Sequence, residues 1–324
     1  MRPYIKKITL AFVMTLTMSL VIVGCGKNQA KEAVGNENLL AEEASPTPVK
    51  EEEIIILEEI NEPELKQDIA DQYDLPDVAP HALQIVFLGE SNLDAHRNET
   101  GISYIVGQKC DATVYNLSIS GTTAALNMQD ESGDREKNKA RSLVGVSEVL
   151  AGKANIDNIG DVRAAGIMEG LNVEKTDYFV IMYGAQDFLQ GIPLDAPEYD
   201  GGPDTYVGAL KKAIANLREA APHADFVLCA PHYAQFFDED NVFLGDGNIL
   251  SNGHGFLFDY KGKIEHVAND QNGIFLNAFQ DLGIDGNTVG EFLEDGVHLS
   301  EAGRRVYAER IAKMILDHEM NHYN

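Results

Sequence analysis

Three side chains in this 324-residue sequence have the types needed for nucleophilic catalysis: Ser91 near one end of the folded part, and Asp295 and His298 near the other. A serine hydroxyl is a poor nucleophile near neutral pH; it needs a base within hydrogen-bond reach and a third group that holds the base in the right tautomer. Ser91 stands in Gly89-Glu90-Ser91-Asn92, directly after the apolar run Gln84 to Leu88. A glycine there lets the backbone turn sharply at the carboxyl end of a strand, where open α/β sheets place their ligands. Asp295-Gly296-Val297-His298 puts a carboxylate three residues before an imidazole in a loop, close enough to fold back onto Nδ1 and leave Nε2 for Ser91. Each stretch has an ordinary reading too. Gly and Ser favour any strand-end turn, and an acidic turn ahead of a helix cap at Ser300 is common.

The elements that would position these residues alternate. Apolar runs predict strands at Gln84 to Leu88, Thr113 to Ile119, Tyr178 to Tyr183, Phe226 to Ala230 and Gly273 to Phe279. Helical stretches lie between them: one carrying Ile102, Ile105 and Val106, then Ser142 to Leu150, Val162 to Leu171, a helix with Tyr206, Leu210, Ile214 and Leu217 on one face, and Tyr260 to Val267. A last helix starts at Ser300 and groups Tyr307, Ile311, Met314 and Ile315. Such alternation predicts a parallel sheet covered on both faces. Right-handed crossovers gather the strand-end motifs along one edge.

The amino terminus reads as a targeting segment. Arg2, Lys6 and Lys7 precede an apolar run from Ile8 to Val23, too early and short for a comfortable membrane span. The following Ile22-Val23-Gly24-Cys25 resembles a bacterial lipoprotein signal, which implies cleavage after residue 24 and lipid on Cys25. An uncleaved anchor helix is the alternative, and either places the bulk of the chain outside the cytoplasm on a membrane. Residues 25–80 are rich in Glu, Asp, Asn, Ala and Pro, a composition that buries little and stays extended, so they read as an acidic tether. Ile54 to Leu57 is more apolar than a pure linker, and Pro63 to Tyr73 reads as a short helix. Residues 81–324 then form one α/β domain.

With 52 acidic against 25 basic side chains, the net charge of −27 argues against a nucleic-acid partner. Cys110 and Cys229 read as free buried thiols, since each belongs to a different strand region. No Cys or His pair has metal-ligand spacing, so no metal is expected.

With Ser91, Gly121 in Ile-Ser-Gly-Thr-Thr, the Gly184-Ala185-Gln186-Asp187 turn and Asp295/His298 in this order, the chain resembles the GDSL, or SGNH, hydrolase superfamily from Gln84 to about Leu316. Asp-Gly-Val-His-Leu-Ser-x-x-Gly is the most specific block. The resemblance implies a flavodoxin-like three-layer αβα sandwich with a five-stranded parallel sheet, and cofactor-free ester hydrolysis. Ser91 would be the nucleophile, His298 the base and then acid, and Asp295 its orienting partner. The backbone N–H groups of Ser91 and Gly121 and the Gln186 amide would form the oxyanion hole. Two departures stand out. Glu90 replaces the usual Asp, and Gln186 replaces the usual Asn, setting the amide one methylene further out. Losing an oxyanion donor typically costs about 10²- to 10³-fold in rate.

Between His232 and Tyr260 a long stretch read as irregular carries Tyr233, Phe236, Phe237, Phe243, Phe256 and Phe258. It either walls a substrate pocket or pins the loop. His96, His232 and His254 read as loop histidines. The expected partner is a small-molecule or glycan ester, O-acetylated polysaccharide or cell-wall glycan being suggested by location alone. A non-catalytic glycan-binding lipoprotein and an acyltransferase using the same triad remain as alternatives.

Overall fold

In the computed structural model the described residues are 82–126, 139–196 and 202–322. The expected signal peptide (1–24), Cys25 and the tether (25–80) lie outside them.

From β1 (Gln84–Gly89) the chain passes through the single turn α1 (Ser91–Asp94) and α2 (Ile102–Cys110) to β2 (Thr113–Asn116). Helices α3 (Leu143–Leu150) and α4 (Val162–Gly170) lead to β3 (Tyr178–Met182), followed by α5 (Ala185–Leu189), α6 (Tyr206–Ala220) and β4 (Asp225–Cys229). A hairpin of β5 (Gln235–Phe237) and β6 (Phe243–Asp246) precedes α7 (Leu257–Asp270) and β7 (Ile274–Leu276). The chain then runs through α8 (Ala278–Asp281), α9 (Val289–Phe292) and the long α10 (Glu301–His322).

Five strands form one sheet in the order β2-β1-β3-β4-β7, with every pair parallel. Strand β3 is buried along its whole length and β1 from Ile85 onward, as a sheet covered on both faces requires. The first crossover runs one way along the sheet and the later ones run the other. By the right-handed rule α2 therefore shares a face with α10, while α3, α6 and α7 cover the other; α2 packs on α10, α3 on α6, and α6 on α7. This is the five-stranded α/β sandwich the sequence predicts. Its order reverses between β1 and β3, the switch point where such sheets open a crevice.

Helix α6 shows why the elements form where they do. The Thr205 hydroxyl caps it, accepting from Gly208 N at 3.2 Å, and Tyr206, Leu210, Ile214 and Leu217 are all fully buried on one face. On the opposite face of the sheet the Tyr307 hydroxyl of α10 donates to the carbonyl of Ala230 at 2.8 Å.

Three expected elements differ. Strand β2 ends at Asn116 rather than Ile119, because Asn116 Oδ1 accepts from Ser118 N at 3.1 Å and bends the chain. Leu117 N and Ile119 N nevertheless donate to Phe87 O and Gly89 O, so the loop stays on the sheet edge. Strand β7 stops at Leu276, where Asn277 starts α8. The stretch after His232 is not irregular throughout: Asp238 to Asn241 forms the turn of the β5–β6 hairpin, with Asn241 at φ 60°. Cys110 and Cys229 are free and buried, as expected.

Truncating a fully buried α6 residue leaves a cavity. Leu210→Ala is expected to lower unfolding stability by about 2–5 kcal/mol in urea titration, with an unchanged m-value.

Candidate active site

Residues 90–94 form the junction of the site. A Cβ at Gly89 would lie 2.5 Å from Leu93 Cδ1 and 3.0 Å from Met182 O, so glycine is what lets α1 fold down against β3. Four side chains around that turn then reach out to neighbouring segments. Glu90 accepts from Ala185 N (3.2 Å) and Gln186 N (2.9 Å), seating the turn after β3. Ser91 Oγ accepts from Gly121 N at 3.3 Å. Asn92 Oδ1 accepts from Leu299 N at 2.8 Å. Asp94 Oδ2 accepts from Ser120 N at 2.8 Å, while its other oxygen meets Arg97 and Arg163 at 2.9 and 2.6 Å. Arg97 also donates to the carbonyls of Asn116 and Ser118, which fixes the approach to Gly121.

The loop before α10 is built around Asp295. Its Oδ1 accepts from Val297 N (3.0 Å) and His298 N (2.7 Å), and its Oδ2 lies 2.6 Å from His298 Nδ1. One carboxylate thus shapes the loop and sets the tautomer, leaving Nε2 as the free nitrogen. The hydrogen bond from His298 and the two backbone donors hold the Asp295 carboxyl well below the usual range; the same bond raises the His298 imidazole above its ordinary value. Gly296 sits at φ 88°, where a Cβ would come within 2.5 Å of Gln235 O, so the loop packs tightly on β5. Arg304, 4 % exposed, donates to Leu299 O and Glu294 from α10. The Ser300 hydroxyl caps that helix through Gly303 N at 3.2 Å.

Opposite this loop, Gly121 turns at φ 73° with its N–H toward Ser91 Oγ. Asp187 is fully buried and accepts from Ala124 N (2.9 Å) and Ala125 N (3.1 Å), holding the chain just beyond Gly121. Gln190 Nε2 donates to Gly121 O at 3.2 Å. Burial pushes the Asp187 carboxyl up to about 7; burial, reinforced by the Asp187 charge, holds Glu90 well above the carboxylate range.

The structure therefore joins Asp295 to His298 and Ser91 to Gly121. It brings the Ser91 turn to the His298 loop through Asn92, with no hydrogen bond between Ser91 and His298 themselves among the described residues. Such contacts often tighten only with substrate bound. Gln186 lies at the start of α5, beside the switch point, and its side-chain amide makes no hydrogen bond among the described residues. His254 is exposed in a loop; His232 is in a loop as well, but it is 4 % exposed and bonded to Asn92.

The model of the GDSL-like lipase/acylhydrolase family matches residues 87–306, which spans every segment named above. The chain belongs to that family. No curated protein matches the sequence. Among solved structures, one crystal structure is 19 % identical at a TM-score of 0.55, covering 73 % of this chain and 97 % of its own. A protein from Lactobacillus plantarum is also 19 % identical, at a TM-score of 0.51 with 74 % and 99 % covered. A possible lipase from Chitinophaga pinensis is 18 % identical at 0.49, with 72 % and 98 % covered. At these identities the first two bear on the fold alone, and the fold agrees.

Within this GDSL-like domain the sequence reading passed over Asn92, Asp94, Asp187 and Arg304. Arg97 follows Asp94 by three residues, the one local signal that this turn is tied down.

The buried carboxyl of Asp187 sets a pH dependence. Its folded value, about 7, lies above that of an unfolded Asp, about 3.9, so between those values the folded protein holds a proton the unfolded chain has released. Its contribution is full below the unfolded value and is lost as pH rises through the folded one. Unfolding stability is expected to fall across about pH 4 to 7, with a shallower slope in Asp187→Asn by denaturant titration at each pH.

Proposed function

We propose that the chain is an extracytoplasmic serine ester hydrolase that works through an acyl-enzyme on Ser91. The observation that carries this reading is that the Asp295–His298 pair and the Ser91 hydroxyl with the Gly121 N–H lie on two loops tied to each other by the Asn92–Leu299 bond. In the proposed cycle His298 Nε2 takes the proton of Ser91 Oγ as the oxygen bonds to the ester carbonyl carbon. The tetrahedral oxyanion accepts from the N–H of Ser91, the N–H of Gly121 and the Gln186 amide. His298 returns the proton to the departing alcohol as the ester C–O bond breaks. Water then attacks the acyl-enzyme with His298 again as base, releasing the acid and restoring Ser91.

The open shape of the rim favours a large alcohol. His298 and Asp295 are 35 % and 54 % exposed at their side chains, an open rim that leaves room for a bulky leaving group. A separate cavity of about 20 Å³ between Glu90, Asn92, Tyr183 and His232 has room for a single water, and neither Ser91 nor His298 lines it. The open rim, with the outer-surface location expected from the signal, supports esters of glycans such as O-acetylated polysaccharide as substrates. The aromatic stretch divides between the two roles foreseen for it. Tyr233 and Phe236 are buried and pin the hairpin, whereas Phe237 and Phe243 pair edge-on at 5.7 Å and are 37 % and 50 % exposed. Phe237 packs over Gly296 and gives the rim an apolar flank.

The lipoprotein-like signal supports a location on the outer face of the bacterial cell membrane, anchored through Cys25.

Purified residues 81–324 are expected to turn over p-nitrophenyl acetate. Ser91→Ala should abolish turnover, and an unchanged rate in that variant would overturn the proposal. Because catalysis needs His298 neutral and Asp295 raises its pKa, the acidic limb of the kcat/KM profile should lie above the ordinary imidazole value of about 6.5. Asp295→Asn should move that limb to lower pH and reduce kcat by about 10³- to 10⁴-fold. Adding an acceptor sugar distinguishes hydrolysis from acyl transfer: free acetate supports the hydrolase, and an acetylated sugar in its place contradicts it.

A further inference from the structure

Asn92 and His232 stand next to the reacting groups without being among them. The Asn92 amide has its orientation dictated by its neighbours: Leu299 N–H can only donate, so Oδ1 faces it at 2.8 Å, and Nδ2 must face His232 Nε2 at 3.2 Å. His232 Nδ1 lies 2.7 Å from the carbonyl of Tyr233, which can only accept, so this nitrogen carries the hydrogen. Nε2 is then a lone pair aimed at Asn92. Every donor in the series meets an acceptor, from Leu299 N–H through the Asn92 amide and the His232 ring to the Tyr233 carbonyl.

The ends of the series fix its meaning. Asn92 directly follows Ser91, and Leu299 directly follows His298. Among the described residues, the Asn92–Leu299 bond is the one hydrogen bond between residues 91–94 and 293–299. The other anchors of the His298 loop run to α10 through Arg304, to β5 through Gln235 N and Gly296 O, or back onto the loop itself. His232, in turn, is carried by the chain just after β4 and is 4 % exposed, so it is fixed to the sheet and not to the loop. Burial keeps its ring neutral, lowering it to about 4, which preserves the acceptor that Asn92 needs.

We propose that Asn92 and His232 are positioning residues: the sheet-anchored His232 ring orients the Asn92 amide, and that amide sets the spacing between the Ser91 hydroxyl and the His298 imidazole. This rests on the serine hydrolase reading, and it adds two residues to the reaction that touch neither substrate nor oxyanion. A displacement of about 1 Å between reacting groups can cost about 10²-fold in rate.

Phosphorylation of Ser91 by diisopropyl fluorophosphate, with fluoride as the leaving group, reports Ser91 activation without knowledge of the natural substrate. Asn92→Ala and His232→Leu are expected to slow labelling by about 10²-fold, and to lower kcat toward p-nitrophenyl acetate with KM little changed. His232→Gln restores an acceptor at the position of Nε2, and should label within a few-fold of the parent. Hydrogen exchange at the Leu299 amide reads the same tether without chemistry: protected in the parent, released in Asn92→Ala. Parent-like labelling in folded Asn92→Ala and His232→Leu, or His232→Gln as slow as His232→Leu, would overturn the positioning role and leave the triad standing. A Leu299 amide equally protected in Asn92→Ala would do the same. A parent protein inert to the probe would instead overturn the hydrolase reading, and this inference with it.

Discussion

The constraint on which the rest of the site depends is the turn of residues 90–94 at the carboxyl end of β1. A parallel sheet with right-handed crossovers puts every strand-end loop on one edge, but that alone leaves loops several ångströms adrift. Here the turn is bonded outward to the chain after β3 by Glu90, to the Ser120–Gly121 turn by Asp94 and Ser91, and to the His298 loop by Asn92. Groups more than two hundred residues apart in sequence are thereby held within a hydrogen bond or two of each other. Gly89 is the steric condition for it, since a side chain there would collide with Leu93 and the backbone of β3.

The charges follow the same logic. Glu90 and Asp187 are buried and, among the described residues, accept from backbone N–H groups, an arrangement that fixes loops at the expense of desolvating two acids. Asp295, on the exposed rim, does the reverse: its pairing with His298 favours the ionised form and raises the basicity of the imidazole. The positioning acids are thus buried, and the acid that acts on the base is wet.

The sequence made the sheet legible because its strands are buried on both faces and read as continuous apolar runs. All five strands and the long helices are legible in place, although β2 and β7 are shorter than their apolar runs. What it hid were features decided by side-chain direction. Asn116 ends β2 early through its own amide, and three-residue β5 is too short to show a period against the aromatic stretch around it. The Ser91, Asp295 and His298 stretches were legible as chemistry because their residue types are few and their positions follow strands or precede a helix. His232 was read as a loop histidine, and Asn92 drew no attention, because nothing in spacing announces an amide that bonds to residue 299 or a ring that is buried after β4. The family match over residues 87–306 agrees with the block order, while the identities near 19 % leave substrate to be learned from this chain's own rim.

The central claim is that Ser91, His298 and the oxyanion donors converge on one reacting centre. A crystal structure of the protein after reaction with a phosphonate ester tests this most directly. The account expects phosphorus bonded to Ser91 Oγ, the phosphonyl oxygen accepting from Gly121 N and the Gln186 amide, and His298 Nε2 within about 3 Å of Oγ. An adduct on another residue, or a phosphonyl oxygen turned away from Gly121 with His298 out of reach, would contradict it.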